Sequence, residues 1–414
     1  MRKVVLLAAA LAVTLGVVAS SATSASTETG ITARTITIGG TFPLTGRASL
    51  YATIAPAMKA YFSYINARKG PDGKRGIYGR QIVYNIYDDA YNPAQTVQQT
   101  RRLVEGDKVF AVVGSLGTEH NQAIQPYLNQ NKVPQILNAT GASTWSRDAK
   151  RYPWTGGWQP DYEWEGRIYG QAIARNSPNA KIAVLYQNDS FGQDNLRGLR
   201  AGLGGKASNI VGLESYEIGA VDVRSQMAKL RATGATILVI FAVPPYGITA
   251  YPIANALRWS PAVIYATSVV ATDAFLTAAK NGGGGELVDR TFTVHYGKDP
   301  ASPSWDNDSA MKLYKQVMAK YYPSGRVTDA LNYYGVTVAH AFTQLMYKAG
   351  RNPTRASLMR AFRTWNEPNP FLLPGNRQRT NGSDQQPVGC ERIMRYQGGT
   401  FTPVSKLKCQ GAAT

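Results

Sequence analysis

The chain has 414 residues, of which 44% are hydrophobic and only 17% charged. That is enough apolar material for a real core and too little charge for wholesale disorder, and the length alone points to two or three domains. The formal charge is +19, but Lys and Arg are scattered, with short clusters such as Arg101-Arg102 and Arg377-Gln378-Arg379. Without a basic tract interleaved with aromatics, this reads as a solvated basic surface and argues against a nucleic-acid partner.

The first residues read as an export signal. Arg2 and Lys3 form a short basic region, residues 4–19 are an unbroken run of Val, Leu, Ala, Thr and Gly, and residues 20–26 are small, with Thr23 and Ala25 placed before a cut. The apolar run falls short of the roughly 20 residues of a spanning helix. Residues 1–25 are therefore expected to be a signal peptide, and no Cys near the cut offers a lipid anchor. The mature chain is expected to be exported, soluble and periplasmic or extracellular, with its charge reduced from +19 to +17 by loss of Arg2 and Lys3. In an oxidising compartment the two cysteines, Cys390 and Cys409, are expected to form a disulfide that staples a local hairpin or loop in the C-terminal tail.

Beyond the signal, strand-like and helix-like segments alternate. Strands are predicted at 35–40, 81–87, 109–114 and 133–137, and helices at 54–67, 93–105 and 119–131. Residues 152–161 (YPWTGGWQPD) carry no period and read as a crossover. The alternation then restarts, with helices at 161–176, 191–203, 224–233 and 248–257 and strands at 181–186, 210–217, 235–243, 262–267 and 291–296. Residues 309–362 read as mostly helical, and the glycine run 282–285 as a loop without the context of a phosphate cradle. Two runs of βα units imply an α/β fold of two doubly wound parallel-sheet lobes.

In such sheets, ligands bind beyond the carboxyl ends of the strands, where helix N-termini present unpaired N–H groups. Four candidate turns follow. They are 115–120 (with Gly117, Thr118, Glu119 and His120), 138–143 (with Thr140, Gly141, Ala142 and Ser143), 188–192 (with Asp189, Ser190 and Phe191), and the pair 241–246 and 266–269 (with Tyr246 and Ser268). Each also reads as an ordinary helix cap or packing turn. Catalytic constellations are thin. The three histidines, His120, His295 and His340, have no metal-ligand spacing, and no Gly-x-Ser-x-Gly elbow occurs. Asp88-Asp89 is an adjacent pair whose side chains point to opposite faces of a strand, and it reads as a strand-end cap. No catalytic residue, metal or cofactor is expected.

The segments ITIGGTFPLTG (36–46), YDDAYNPAQTV (87–97), VVGSLGT (112–118) and KIAVLYQNDSFGQ (181–193), in this order, make the chain from about Thr35 onward resemble type I periplasmic binding proteins of the leucine/isoleucine/valine-binding class. The resemblance implies two lobes joined by three crossings, with lobe one near 34–156 and 295–368 and lobe two near 157–294 and 369–414. It implies a monomeric, non-enzymatic binding protein that closes around a small solute, either branched-chain amino acid-like, an amide or an aromatic acid, and delivers it to an ABC permease in the membrane. By the same resemblance, Tyr51 and Phe191 would line the cleft. Gly117, Thr118 and Glu119 would hold the ligand carboxylate with Thr140, Gly141, Ala142 and Ser143. Tyr246 lies close to a second-lobe tyrosine position that Val243 does not retain. Ser268 falls where amino-acid binders place the carboxylate for the ligand amine. The resemblance therefore implies either a ligand without an amino group or a charge supplied by Glu119 or Asp189. A ligand-sensing receptor module, or a secreted hydrolase, are the alternatives; neighbouring permease genes or an ordered nucleophile cluster would distinguish them.

Overall fold

The computed structural model describes residues 28–410; the signal segment lies outside the described residues. Five parallel strands, β1 (Thr35–Phe42), β2 (Gln81–Asp88), β3 (Val112–Val113), β4 (Gln135–Asn138) and β5 (Thr155–Gly157), form the first sheet in the order β2-β1-β3-β4-β5. The stretch read as a featureless crossover thus contributes an edge strand, β5, too short to show a period. Helix Ile54–Ala67 buries Ile54, Met58, Tyr61, Phe62 and Ile65, spaced to lie on one face. The long helix Ala330–Ala349 packs on it, with Tyr61 Oη 2.7 Å from His340 Nδ1 and a Phe62–Phe342 ring contact. The late helical stretch therefore returns to the first lobe.

The second sheet contains β6 (Ile182–Gln187), β7 (Ile210–Tyr216), β8 (Ile237–Phe241), β9 (Val263–Ala266) and β10 (Thr291–His295), all parallel. Every residue of β8 is buried, as a central strand covered on both faces requires. After a small ribbon of β11 (Asn366–Pro368) and β12 (Arg377–Arg379), the chain adds β13 (Cys390–Gln397) antiparallel to β10, then β14 (Thr400–Pro403) and β15 (Lys408–Cys409). This antiparallel edge modifies the expected all-parallel sheet. It turns at Gly398-Gly399, where φ values of 60° and 81° are those a two-residue hairpin loop needs. The Cys390–Cys409 disulfide joins β13 to β15. The glycine run is not a loop. A helix at Asp273–Ala279, capped by the Thr272 side chain, continues as a wide turn over Lys280–Gly284 and a tight one over Gly285–Arg290, with φ of 104° at Gly283. Among the described residues, no helix is long and apolar enough to cross a membrane.

Two pieces of local chemistry set the geometry of the cleft. The Asp-Asp pair after β2 is structural, as a strand-end cap should be. Asp88 Oδ1 accepts from the N–H groups of Leu44, Thr45 and Ala90, and Asp89 accepts from Tyr91 N–H and the Thr96 hydroxyl. Together they fix the loop that carries Tyr91. In the second lobe, helices Tyr162–Asn176 and Ser190–Leu203 touch backbone to backbone. A Cβ on Gly166 would lie 2.1 Å from the Asn195 carbonyl oxygen, and one on Gly198 2.1 Å from that of Glu163. The contact aims the N-termini of both helices at the same cleft.

Two predictions follow from this packing. Gly166→Ala should destabilise the fold by about 1–3 kcal/mol in urea unfolding, whereas Gly205→Ala, with open space around its Cβ position, should be neutral. Replacing Cys390 and Cys409 by Ser opens a loop with a sequence separation of 19 and should cost about 3 kcal/mol, read as a lower midpoint in oxidised but not in reduced samples.

Candidate functional site

Between the lobes lies a cavity of about 140 Å³. Its walls come from the carboxyl ends of strands in both sheets, where open α/β sheets bind ligands. The first lobe contributes Tyr51, Tyr91, Thr118 and Thr140, the second Tyr162, Phe191, Val243 and Ser268, and the crossings Trp158, Gln159 and Tyr296.

The first-lobe wall is built around a helix N-terminus. Gly117, at φ 102°, turns the chain from β3 into helix Thr118–Gln130, and a Cβ there would sit 2.4 Å from His120 Nδ1. No side chain caps this helix, so its first N–H groups have no partner from its own cap. Thr118 is its first residue and does not cap it. Instead, Thr118 Oγ1 lies 2.6 Å from Thr140 Oγ1, which brings the two candidate turns together at the cavity. Beside them, Trp158 is fully buried, and its Nε1 has no partner among the described residues. A positive helix end, two hydroxyls and a spare N–H form an environment suited to a carboxylate.

The second-lobe wall is aromatic. Phe191 meets Tyr162 edge-on at 4.8 Å between centroids. Tyr162 joins a chain in which Gln159 Nε2 donates to Tyr162 Oη at 3.1 Å and Tyr334 Oη donates to Gln159 Oε1 at 3.0 Å. Ser268, also on the wall, donates its N–H and hydroxyl to the two oxygens of buried Glu165, at 2.7 and 2.9 Å.

Of the candidates from sequence, the cavity gathers Tyr51, Gly117, Thr118, Thr140, Phe191 and Ser268. The others lie off its wall. Glu119 reaches across the cleft, where its Oε1 accepts from Ser190 N–H at 3.0 Å, while Gln122 Oε1 accepts from the Ser190 hydroxyl at 3.1 Å. Ser143 donates its N–H and hydroxyl to Asp194 of the second lobe. The carbonyls of Gly141 and Ala142 accept from Gln386 Nε2, and that of Gly141 also from Tyr162 N–H. Tyr246 packs on Tyr216 and bonds Gly219 N–H and the Ala220 carbonyl. These residues bind lobe to lobe or loop to loop, because the turn after β4 runs directly into the hinge. Asp189 is also off the wall; it caps helix Ser190–Leu203 by accepting from Gly192 N–H. His120 is packed against Tyr91 rather than solvated, and burial pushes its pKa down to about 4, leaving it neutral at neutral pH.

Sequence reading missed Tyr91, Trp158, Gln159, Tyr162 and Tyr334 on the wall, and Glu165 behind it. Tyr91 sits inside a motif already noted, and Trp158 and Gln159 inside the aperiodic crossover. Glu165, in the first turn of a helix, reads as an ordinary solvated acid.

A family model described as periplasmic binding protein matches residues 35–400. An amino acid binding protein of Pseudomonas aeruginosa is 27% identical over 228 residues, which are 54% of this chain and 58% of that one; the chain thus spans little more than half the length of this curated relative. A branched-chain amino acid ABC transporter structure from Thermus thermophilus with bound valine superposes with a TM-score of 0.77 at 18% identity, covering 92% of this chain and 97% of that one. A solute-binding protein of an ABC transporter from R. palustris in complex with benzoate gives 0.75 at 16% identity, covering 91% and 98%. At these identities the structural likenesses establish the fold, and the family match extends through both lobes and the hinge. The chain belongs to the periplasmic binding protein family, in its type I, two-lobed form.

Proposed function

We propose that this protein is the extracytoplasmic binding component of an ABC importer and encloses a small carboxylate-bearing solute with an apolar or aromatic body. The observation that carries the reading is the cavity itself, set between two lobes and walled by both. The printed names of relatives and structural neighbours, which mention amino acids, valine and benzoate, support this class of solute.

The carboxylate docks first on the uncapped helix end, Thr118, Thr140 and Trp158 of the first lobe and hinge. Rotation of the second lobe then brings Phe191 and Tyr162 over the apolar body, displacing water. Direct bonds fasten the closed state, namely Tyr51 Oη to the Val269 carbonyl at 3.0 Å and Ser190 to Glu119 and Gln122. A ligand stabilises this state only through contacts that the open state lacks. The solute leaves chemically unchanged, and a membrane permease receives it from the closed form. Residues 1–25 direct the chain out of the cytoplasm.

A thermal-shift panel of amino acids, amides and aromatic acids should give a hit among carboxylates. Thr118→Val with Thr140→Val should then weaken that ligand at least about ten-fold in calorimetry, as expected for losing two buried hydrogen bonds; undiminished affinity would remove the pair from the site. Glu119→Ala should act on closure instead. It should accelerate ligand dissociation several-fold and increase the radius of gyration of the liganded protein in X-ray scattering, and an unaltered dissociation rate would show that the Ser190 contact does not hold the lobes.

A further inference from the structure

The corner around Thr118, Thr140 and Trp158 is only one end of the cavity. The wall also follows the start of helix Ala330–Ala349, where it includes Ala330, Tyr333, Tyr334 and Thr337. The last three stand three, four and seven residues after the first, so all four share one face of the helix. At about 1.5 Å per residue, that face runs for about 10 Å. Tyr334 ties it to the corner, since Tyr334 bonds Gln159 and Gln159 bonds Tyr162. The cavity is therefore elongated, with an arm that follows the helix away from the corner.

The two ends differ in chemistry. At the corner, donors are left over, namely Trp158 Nε1 and the uncapped helix end. Along the arm, donors are spent within the protein. Tyr333 Oη donates to the Phe371 carbonyl at 2.9 Å, and Thr337 Oγ1 donates to the Tyr333 carbonyl one turn back at 2.8 Å. The crossing strand at Gly297 pairs its backbone with Leu372. What remains facing the arm is hydrocarbon, including the buried side chains of Leu331, Leu372 and Phe401. Beyond Gly297 the lining turns polar again, at Asp299 and at Lys298, which Asp308 engages at 2.6 Å. A compact acid held at the corner would leave the apolar stretch facing a void, and its side chains would forfeit their contacts on that side.

We propose that this arm is a binding site for a linear alkyl tail, and that the solute is a monocarboxylate with an unbranched chain rather than a compact acid. The inference rests on the carboxylate reading above, which fixes one end of the ligand and leaves the form of its body open. The carboxylate sits at Thr118 and Thr140. The chain continues past the part covered by Phe191 and Tyr162, and lies along helix Ala330–Ala349 against Leu331, Leu372 and Phe401. Each added methylene leaves water for this apolar wall until the tail reaches Lys298, where a further one gains nothing.

The test is a chain-length series on the mature full-length protein, with straight-chain carboxylates from butanoate to dodecanoate in displacement calorimetry. Affinity should rise about four-fold per methylene over at least four methylenes and then level off. Gly297→Leu tests the location. A Cβ at Gly297 has only ordinary contacts, 3.8 Å to the Phe371 carbonyl oxygen and 4.0 Å to Tyr333 Cε1, so the new side chain fits and narrows the arm. Octanoate should bind at least ten-fold more weakly, and the loss should shrink as the chain shortens, so that the plateau moves to shorter acids. Ala330→Leu, at the end of the same helix face, should shift the plateau in the same direction and covers a folding defect in the hinge variant. A wild-type profile flat within two-fold from butanoate to octanoate would overturn the inference and leave the carboxylate reading intact. So would a loss independent of chain length in both variants, or failure of the whole series beside a hit with a compact carboxylate. Failure of every carboxylate, linear or compact, would overturn both readings.

Discussion

The cleft depends on the polarity of parallel strands. Each βα unit ends a strand and begins a helix at the same edge of its sheet, and in both lobes that edge faces the other lobe. Unpaired helix N–H groups therefore converge on one volume from two directions. On the first-lobe side, helix Thr118–Gln130 is left uncapped and turns its end toward the cavity. On the second-lobe side, helix Ser190–Leu203 is capped by Asp189 within its own chain and receives Glu119 from across the cleft. One helix end faces the cavity, and the other takes part in holding the lobes together.

This division explains why neighbouring residues in one turn serve different ends. Thr118 and Glu119 are adjacent at the start of a helix, but their side chains diverge, one to the cavity and one to Ser190. Thr140 and Ser143 are parted in the same way, the latter by its bonds to Asp194. The lobes are therefore joined by residues beside those that line the cavity, and they meet through polar groups whose geometry is specific. Such contacts contribute modestly each, about 0.5–1.5 kcal/mol, which suits a cleft that must also open.

The best sequence motif turns out to be scaffolding. In YDDAYNPAQTV, Asp88 and Asp89 collect the backbone N–H groups of Leu44, Thr45, Ala90 and Tyr91, Asn92 caps the following helix through Ala94 N–H, and Tyr91 alone reaches the cavity. Its φ of 57° is an uncommon backbone conformation for a tyrosine, in a loop whose Ala90 and Tyr91 N–H groups are bonded by the two preceding aspartates. The motif is informative about the fold because its carboxylates bond the backbone of the loop on which they sit and of the segment 44–45 beside it.

The sequence by itself determined what depends on local pattern: the alternation of strand and helix, the strands buried along their whole length, the pairing of two cysteines, and the turns at strand ends from which Thr118, Thr140, Phe191 and Ser268 reach the cleft. Periodicity and composition act over a few residues, and these features are settled at that range. The antiparallel return of β13 beside β10, the placement of Glu119 and Ser143 between lobes, and the buried Glu165 behind Ser268 were decided only by the tertiary structure. Each joins residues far apart in the chain, Glu165 and Ser268 by 103 positions, and no local pattern distinguishes an acid that will be buried from one that will be solvated until its partner arrives.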